Sequence, residues 1–277
     1  MKNKIKKAVS VLLRKSYLDE CPKAQVITEF MGGKFFAGNA NKIEAKILSS
    51  NGYDPENLTV CKNLIGPGSV CLDVGANIGI YSCLMAIWSG SSGSVHAFEP
   101  VNHIRRKLDL NVRINRLRNV RINSIVLGEK AGTIEMNQVR EGHFRAGTST
   151  LTENESVESM GKESFDRVEV EMMTVDEYLD QKQVDRVDFV KVDIEGYEIN
   201  FLKGASRLFN EYRPNVLIEH NQKRLKYLGI NEAEFKAFFD QARYRCFELY
   251  DKDGESYFIP YDFDRKMRGI NLACVPV

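Results

Sequence analysis

Asp73, Glu99, Asp193 and the pair Glu219-His220 each follow a short apolar run: Val70-Cys-Leu72, Ser94-Val-His-Ala-Phe98, Phe189-Val-Lys-Val192 and Val216-Leu-Ile218. In open α/β sheets ligands lie outside the carboxyl ends of the strands, so four such ends should converge on one crevice. A carboxylate or imidazole there, within hydrogen-bond reach of a hydroxyl, can take its proton. Asp193, Glu195, Glu219 and His220 are the candidates, and residue type alone does not choose among them. Asp193 and Glu219 could instead hold a divalent cation of the Mg²⁺ type through oxygen ligands, the less favoured arrangement. For Glu195 and Glu198 a place in the first turn of a helix is the competing reading.

The first of these ends continues as Asp73-Val-Gly75-Ala76-Asn77-Ile-Gly79-Ile-Tyr81, a glycine turn that opens a helix. Gly75 permits a turn or a close ligand approach, and Gly79 seats the helix on the strand. Glu99-Pro100 stands twenty residues beyond Gly79, where a doubly wound fold places an acid for ribose hydroxyls. Together they predict a nucleotide-cofactor site. A dinucleotide needs a second glycine where its pyrophosphate touches the backbone, and Asn77 occupies that place. Asp73 is a poor neighbour for two phosphates and a good one for an amino-acid ammonium. The pattern D-x-G-x-x-x-G with a downstream Glu is therefore similar to the S-adenosylmethionine site of class I methyltransferases. An NAD(P)-dependent oxidoreductase is the runner-up. Asn77 and the lack of a suitably placed Tyr-x-x-x-Lys pair count against it. A non-catalytic protein that keeps the cofactor fold is the third reading.

These residues need a parallel sheet to hold them. From residue 69 onward apolar runs alternate with amphipathic stretches: strands at 70–73, 94–98 and 120–127, helices at 78–88 and 101–118. Segments 133–136 and 167–174 alternate like antiparallel strands around a long polar stretch, 142–164, a candidate lid or acceptor-recognition loop. The alternation resumes through strands at 187–192, 215–218 and 244–250, Gly254 marks a hairpin turn into 257–259, and a last strand, 271–275, ends the series. The expected fold is α/β and Rossmann-like, a mostly parallel seven-stranded sheet with flanking helices. Residues 1–60 form a helical cap with a short strand at 34–36, and 61–277 form the main domain.

Size and charge narrow the partners. The 277 residues suit one large domain. A net charge of +1 and the lack of an Asn-Pro-Pro-Tyr-like string give no support to nucleic acid as acceptor. Six cysteines at 21, 61, 71, 83, 246 and 274 form no C-x-x-C pair and read as buried reduced thiols. The apolar stretch 8–13 is too short for a signal core or a membrane span, so a cytoplasmic protein is expected. The basic amphipathic stretch 2–16 reads as a solvated helix packing one face on the domain.

Taken together the motifs resemble the FkbM family of S-adenosylmethionine-dependent methyltransferases over residues 65–225. The resemblance rests on Asp73 to Gly79, His96-Ala-Phe-Glu-Pro100, Gly147-Thr-Ser-Thr-Leu151, Thr174-Val-Asp-Glu-Tyr-Leu179 and above all Asp188-Phe-Val-Lys-Val-Asp-Ile-Glu-Gly-Tyr-Glu198. It implies S-adenosylmethionine as donor and O-methylation of a hydroxyl on a sugar, glycan or secondary metabolite. It further implies that Asp73, Gly75, Ala76, Asn77 and Gly79, with Tyr81 closing the motif, cradle the methionine part of the donor. Glu99 and Pro100 would meet the ribose, and Leu127 to Glu129 the adenine. Acceptor identity and oligomeric state stay open.

Overall fold

The computed structural model describes residues 25–38, 42–48, 53–141, 164–252, 255–263 and 270–277. It opens with an antiparallel hairpin of β1 (Gln25–Phe30) and β2 (Gly33–Gly38). Met31 and Gly32 close it at φ 49° and 90°, the pair of positive values that suits a two-residue hairpin turn. Helices with one short strand are the sequence expectation for this region. The short strand at 34–36 falls within β2, and β1 stands where a helix is expected because Val26, Ile27 and Thr28 favour extended backbone and Gly32 supplies the turn. Two helices, α1 (Lys42–Leu48) and α2 (Pro55–Leu64), lead to the main sheet.

Consecutive βαβ units follow: β3 (Val70–Val74), α3 (Ile80–Ser89), β4 (Ser94–Phe98), α4 (Asn102–Ile114) and β5 (Val120–Asn123), with β3, β4 and β5 parallel neighbours. The expected strand at 120–127 is broken after Asn123. Its side chain bonds back to Ala97 O and accepts from the Tyr178 hydroxyl, so it turns inward where a ladder would continue. The chain then enters a separate three-stranded sheet of β6 (Val126–Leu127), β7 (Gly132–Val139) and β8 (Phe165–Met173), in the order β6-β8-β7. The segment expected as a lid, 142–164, lies outside the described residues except for Ser164, as does the basic stretch 2–16.

The second half contributes α5 (Val175–Lys182), β9 (Phe189–Val192), α6 (Glu198–Lys203), β10 (Asn215–His220), α7 (Gln222–Tyr227), α8 (Glu232–Gln241), β11 (Tyr244–Lys252), β12 (Glu255–Pro260) and β13 (Ile270–Pro276). Thr174 and Glu177 form a reciprocal capping box at the start of α5. The main sheet has the order β12-β11-β13-β10-β9-β3-β4-β5. It holds eight strands where seven are expected, because residues 255–260 fold back on β11 as an extra edge strand. The five strands from β10 to β5 are parallel, and the other end is antiparallel.

Successive strand residues face opposite sides. Leu72, Val74, Val190, Val192, Val216 and Ile218 pack into one core with α5, α6 and α8. Cys71, Phe189 and Leu217 pack into the other with α2, α3 and α4. By the same alternation Asp73 and Lys191 fall on the α3 face, and the β3–β9 register sets them side by side. The chain runs β3 to β5 in one direction and returns to the far side of β3 with β9, so the switch in strand order lies between β3 and β9. Among the described residues no helix is long and apolar enough to cross a membrane.

Candidate active site

A cavity of about 240 Å³ opens at that switch, outside the carboxyl ends of β3, β4 and β9. The loop Gly75–Ile78 forms its floor. Glu99 and Pro100 stand on one rim, Asp193 and Glu195 on another. Phe98, Ile104, Ile125, Leu127 and Met136 make an apolar wall, and Tyr53, Lys46 and Lys191 also line the cavity.

The floor is held by backbone packing. Gly75 has φ 80°, and a Cβ placed on it would lie 2.0 Å from the carbonyl oxygen of Asp193. Gly75 thus serves the close approach of two loops, where a ligand approach is the other sequence expectation. Gly79 likewise meets α4, since a Cβ there would lie 2.9 Å from Leu108 Cγ. Gly75→Ala is expected to cost more than about 2 kcal/mol, combining a forbidden φ with a backbone clash. Gly66→Ala, where a Cβ meets nothing within 4 Å, is the control. Denaturant midpoints of the two variants check this.

Asn77, at φ 52°, turns its amide toward the end of β4 and donates to Glu99 Oε2 at 3.0 Å. Val101 N donates to Glu99 Oε1 at 2.9 Å. Burial nevertheless pushes the Glu99 carboxyl up to about 7, with the two amides and Arg105 opposing it. Each carboxylate oxygen retains a further acceptor site, so Glu99 can still receive hydroxyl donors from the cavity.

Beneath the floor lies a buried charge group. Asp73 is 0% exposed and accepts from Ser82 Oγ at 2.5 Å. The Lys191 ammonium stands 3.8 Å from Asp73 Oδ1 and 3.5 Å from Asp193 Oδ2. It donates to Gly75 O at 3.2 Å and lies over the Tyr81 ring, 5.1 Å from the centroid. Burial alone would lower the Lys191 pKa, but Asp193, Asp73 and Asp54 outweigh it and hold the ammonium above the ordinary lysine value. Burial raises Asp73, and Lys191 opposes that shift.

A second group surrounds Arg224, which pairs with Glu195 at 2.5 Å and Glu219 at 2.8 Å. Glu195 sits at φ 59° in the turn after β9. Glu198 lies under that turn and accepts from the amides of Ile194 and Gly196. Burial pushes Glu195 up to about 7 and both Glu198 and Glu219 up to about 8.

Of the residues singled out by sequence, Gly75, Ala76, Asn77, Tyr81, Glu99, Pro100, Leu127, Asp193 and Glu195 line the cavity. Asp73 lies under it, closed off by Ser82 and Lys191. Gly79 is buried against α4, and Glu129 points to solvent. Glu219 is engaged by Arg224 outside the lining, and His220 is fully buried among Phe235, Tyr261 and Phe263. Burial pushes the His220 imidazole down to about 4, so it is neutral, with Nδ1 3.2 Å from the Tyr261 hydroxyl. Sequence reasoning passed over Lys191, Tyr53 and Lys46. Lys191 carried a signal, a lone charge within the apolar strand Phe189–Val192, whereas Tyr53 and Lys46 carried none.

A doubly wound α/β sheet with a part-apolar cavity at its switch point and a carboxylate after its second parallel strand defines a nucleotide-cofactor enzyme. Comparison with known proteins narrows the class. Residues 73–246 match the family described as Methyltransferase FkbM domain, and the chain belongs to that family, whose members take a methyl group from S-adenosylmethionine. The match starts at 73 where 65 is expected and runs past 225 through α8 into β11. The methyltransferase sdnD of Sordaria araneosa is 28% identical over 207 residues, 65% of this chain and 76% of that protein. An FkbM methyltransferase from Methylobacillus flagellatus KT is 16% identical at a TM-score of 0.46. It covers 78% of this chain, which spans 50% of that one. A SAM-dependent methyltransferase from Aquifex aeolicus is 16% identical, with a TM-score of 0.41 over 80% of this chain and 89% of that one.

Proposed function

We propose that the chain moves a methyl group from S-adenosylmethionine to a hydroxyl on a small molecule or glycan, with Asp193 as general base. The observation that carries this reading is one cavity flanked by Glu99, an apolar wall and Asp193. The donor, when bound, supplies an electrophilic methyl on a sulfonium whose positive charge disappears on transfer, so alignment supplies most of the catalysis. Glu99 accepts hydrogen bonds from the ribose hydroxyls, and Phe98, Ile125 and Leu127 enclose the adenine. Asp193 takes the proton of the acceptor hydroxyl. Lys191 keeps it oriented from below.

Asp193 is preferred to the other candidates on position. Glu219 and His220 do not line the cavity, and Glu195 is held by Arg224. The alternative cation site at Asp193 and Glu219 does not fit these residues, because the Arg224 guanidinium already lies on Glu219.

Calorimetric titration with S-adenosylhomocysteine tests the donor site. Hydroxyls that donate to Glu99 favour its ionised form. Its folded pKa of about 7 therefore makes affinity increase as pH rises from 6 to 8. Glu99→Gln should weaken binding by roughly 10–100-fold, the worth of hydrogen bonds to a charged group, and should flatten the pH profile. Binding of NAD in place of S-adenosylhomocysteine would point to an oxidoreductase. Binding of neither would leave a non-catalytic use of the fold.

A further inference from the structure

We propose that Cys246 and Cys274 are an oxidisable dithiol that closes to a cross-strand disulfide in an oxidising thiol buffer. The two residues lie opposite each other in the antiparallel pair β11–β13, with the register Tyr244↔Pro276, Arg245↔Val275, Cys246↔Cys274. Antiparallel ladders alternate hydrogen-bonded and non-hydrogen-bonded pairs. Pro276 has no N–H, so the pair it makes with Tyr244 cannot exchange two bonds. Val277 N donates to Arg243 O at 3.0 Å, which makes the next pair outward a bonded one. Counting inward, 245↔275 is bonded and 246↔274 is not.

That parity matters because non-bonded pairs bring their Cα atoms to about 4.5 Å, inside the range of roughly 4.4–6.8 Å that a disulfide spans. Both side chains point to the same face, into the core shared with Tyr244 and Leu272. Their Sγ atoms are 2.7 Å apart, a short step from the bond length of about 2.05 Å. The other described cysteines, Cys61, Cys71 and Cys83, pack in the core on the opposite face of the sheet.

Cys246 is 8% exposed and Cys274 is 0%, so an oxidant reaches Cys246 first. The Cys246 thiolate attacks one sulfur of a small disulfide such as oxidised glutathione, and one glutathione leaves as its thiolate. The Cys274 thiolate then attacks the Cys246 sulfur and releases the second glutathione. Two thiol protons are lost, the protein sulfurs give up two electrons, and the glutathione disulfide is reduced to two thiols. The new bond ties the edge hairpin β11–β12 to β13, which neighbours β10.

The test equilibrates the full chain with oxidised glutathione, removes the reagent, and counts thiols in denaturant alongside peptide mapping by mass spectrometry. The expected result is two fewer thiols than the six of the reduced chain. A cross-linked peptide pair containing Cys246 and Cys274 should appear, and the melting temperature should rise by several degrees, reversed by dithiothreitol. Cys246→Ser should abolish the cross-link, and Cys83→Ser should leave it. All six thiols remaining titratable, a stable glutathione adduct on Cys246, or a cross-link between other cysteines would each overturn the proposal.

Discussion

Lys191→Met is expected to destabilise the fold by about 3–5 kcal/mol, the typical loss when one partner of a buried ion pair is removed. Methionine keeps most of the length of the side chain, so the effect isolates the charge. Asp73 is 0% exposed and would keep only Ser82 as hydrogen-bond donor. Burial already raises its pKa, and Lys191 is the main influence opposing that rise. Without the ammonium Asp73 therefore rises further. An acid whose folded pKa lies above its unfolded one contributes stability at low pH that is lost as pH rises. The deficit of Lys191→Met should accordingly be smaller at pH 5 than at pH 8. Urea denaturation at both values measures it, with a shifted midpoint and an unchanged slope. Asp73→Asn placed on the Lys191→Met background should recover much of the loss, since neither charge then remains at that site. If the two single losses simply add, the pair is not coupled and the buried charge group does not hold the floor of the cavity.

The position of that pair shows where sequence stops being readable. Asp73, Glu99 and Asp193 were legible because each ends an apolar run, and strand ends in a parallel sheet face one crevice. The partnership of Asp73 with Lys191 depends on the β3–β9 register, which joins segments more than a hundred residues apart. His220 was misplaced for a more local reason. Side chains alternate along a strand, so His220 shares the face of Val216 and Ile218 and enters the core with Phe235, while Glu219 faces the other way toward Arg224. Counting parity from the apolar residues would have found this. The eighth strand was legible as the second arm of a hairpin at 257–259, but nothing in those residues says that the arm joins the main sheet. Of the β1–β2 hairpin only the second arm, at 34–36, was read; the first escaped although Val26-Ile-Thr28 is β-branched and Gly32-Gly33 follows it as a turn signal.

Asp193→Asn is expected to lower kcat for a hydroxyl acceptor by about 10²–10⁴-fold, the usual contribution of a positioned general base. The dissociation constant of S-adenosylhomocysteine should change by less than about threefold, because the proposed donor contacts lie on Glu99 and the apolar wall. Stability should fall less than in Lys191→Met. The Asp193 side chain is 34% exposed, and its removal leaves Lys191 beside Asp73. The pH profile separates a base from a merely structural acid. In the parent protein the carboxylate accepts the proton, whereas in the asparagine variant the residual rate should climb with hydroxide across the accessible range. Any hydroxyl compound that the parent protein methylates serves as the assay. Glu195→Gln is the informative comparison. Glu195 lines the same cavity but is tied to Arg224, so its loss should alter the turn after β9 and acceptor KM more than kcat. If Asp193→Asn retains full turnover while Glu195→Gln loses it, the base is Glu195, and Asp193 serves to hold Lys191 against the floor.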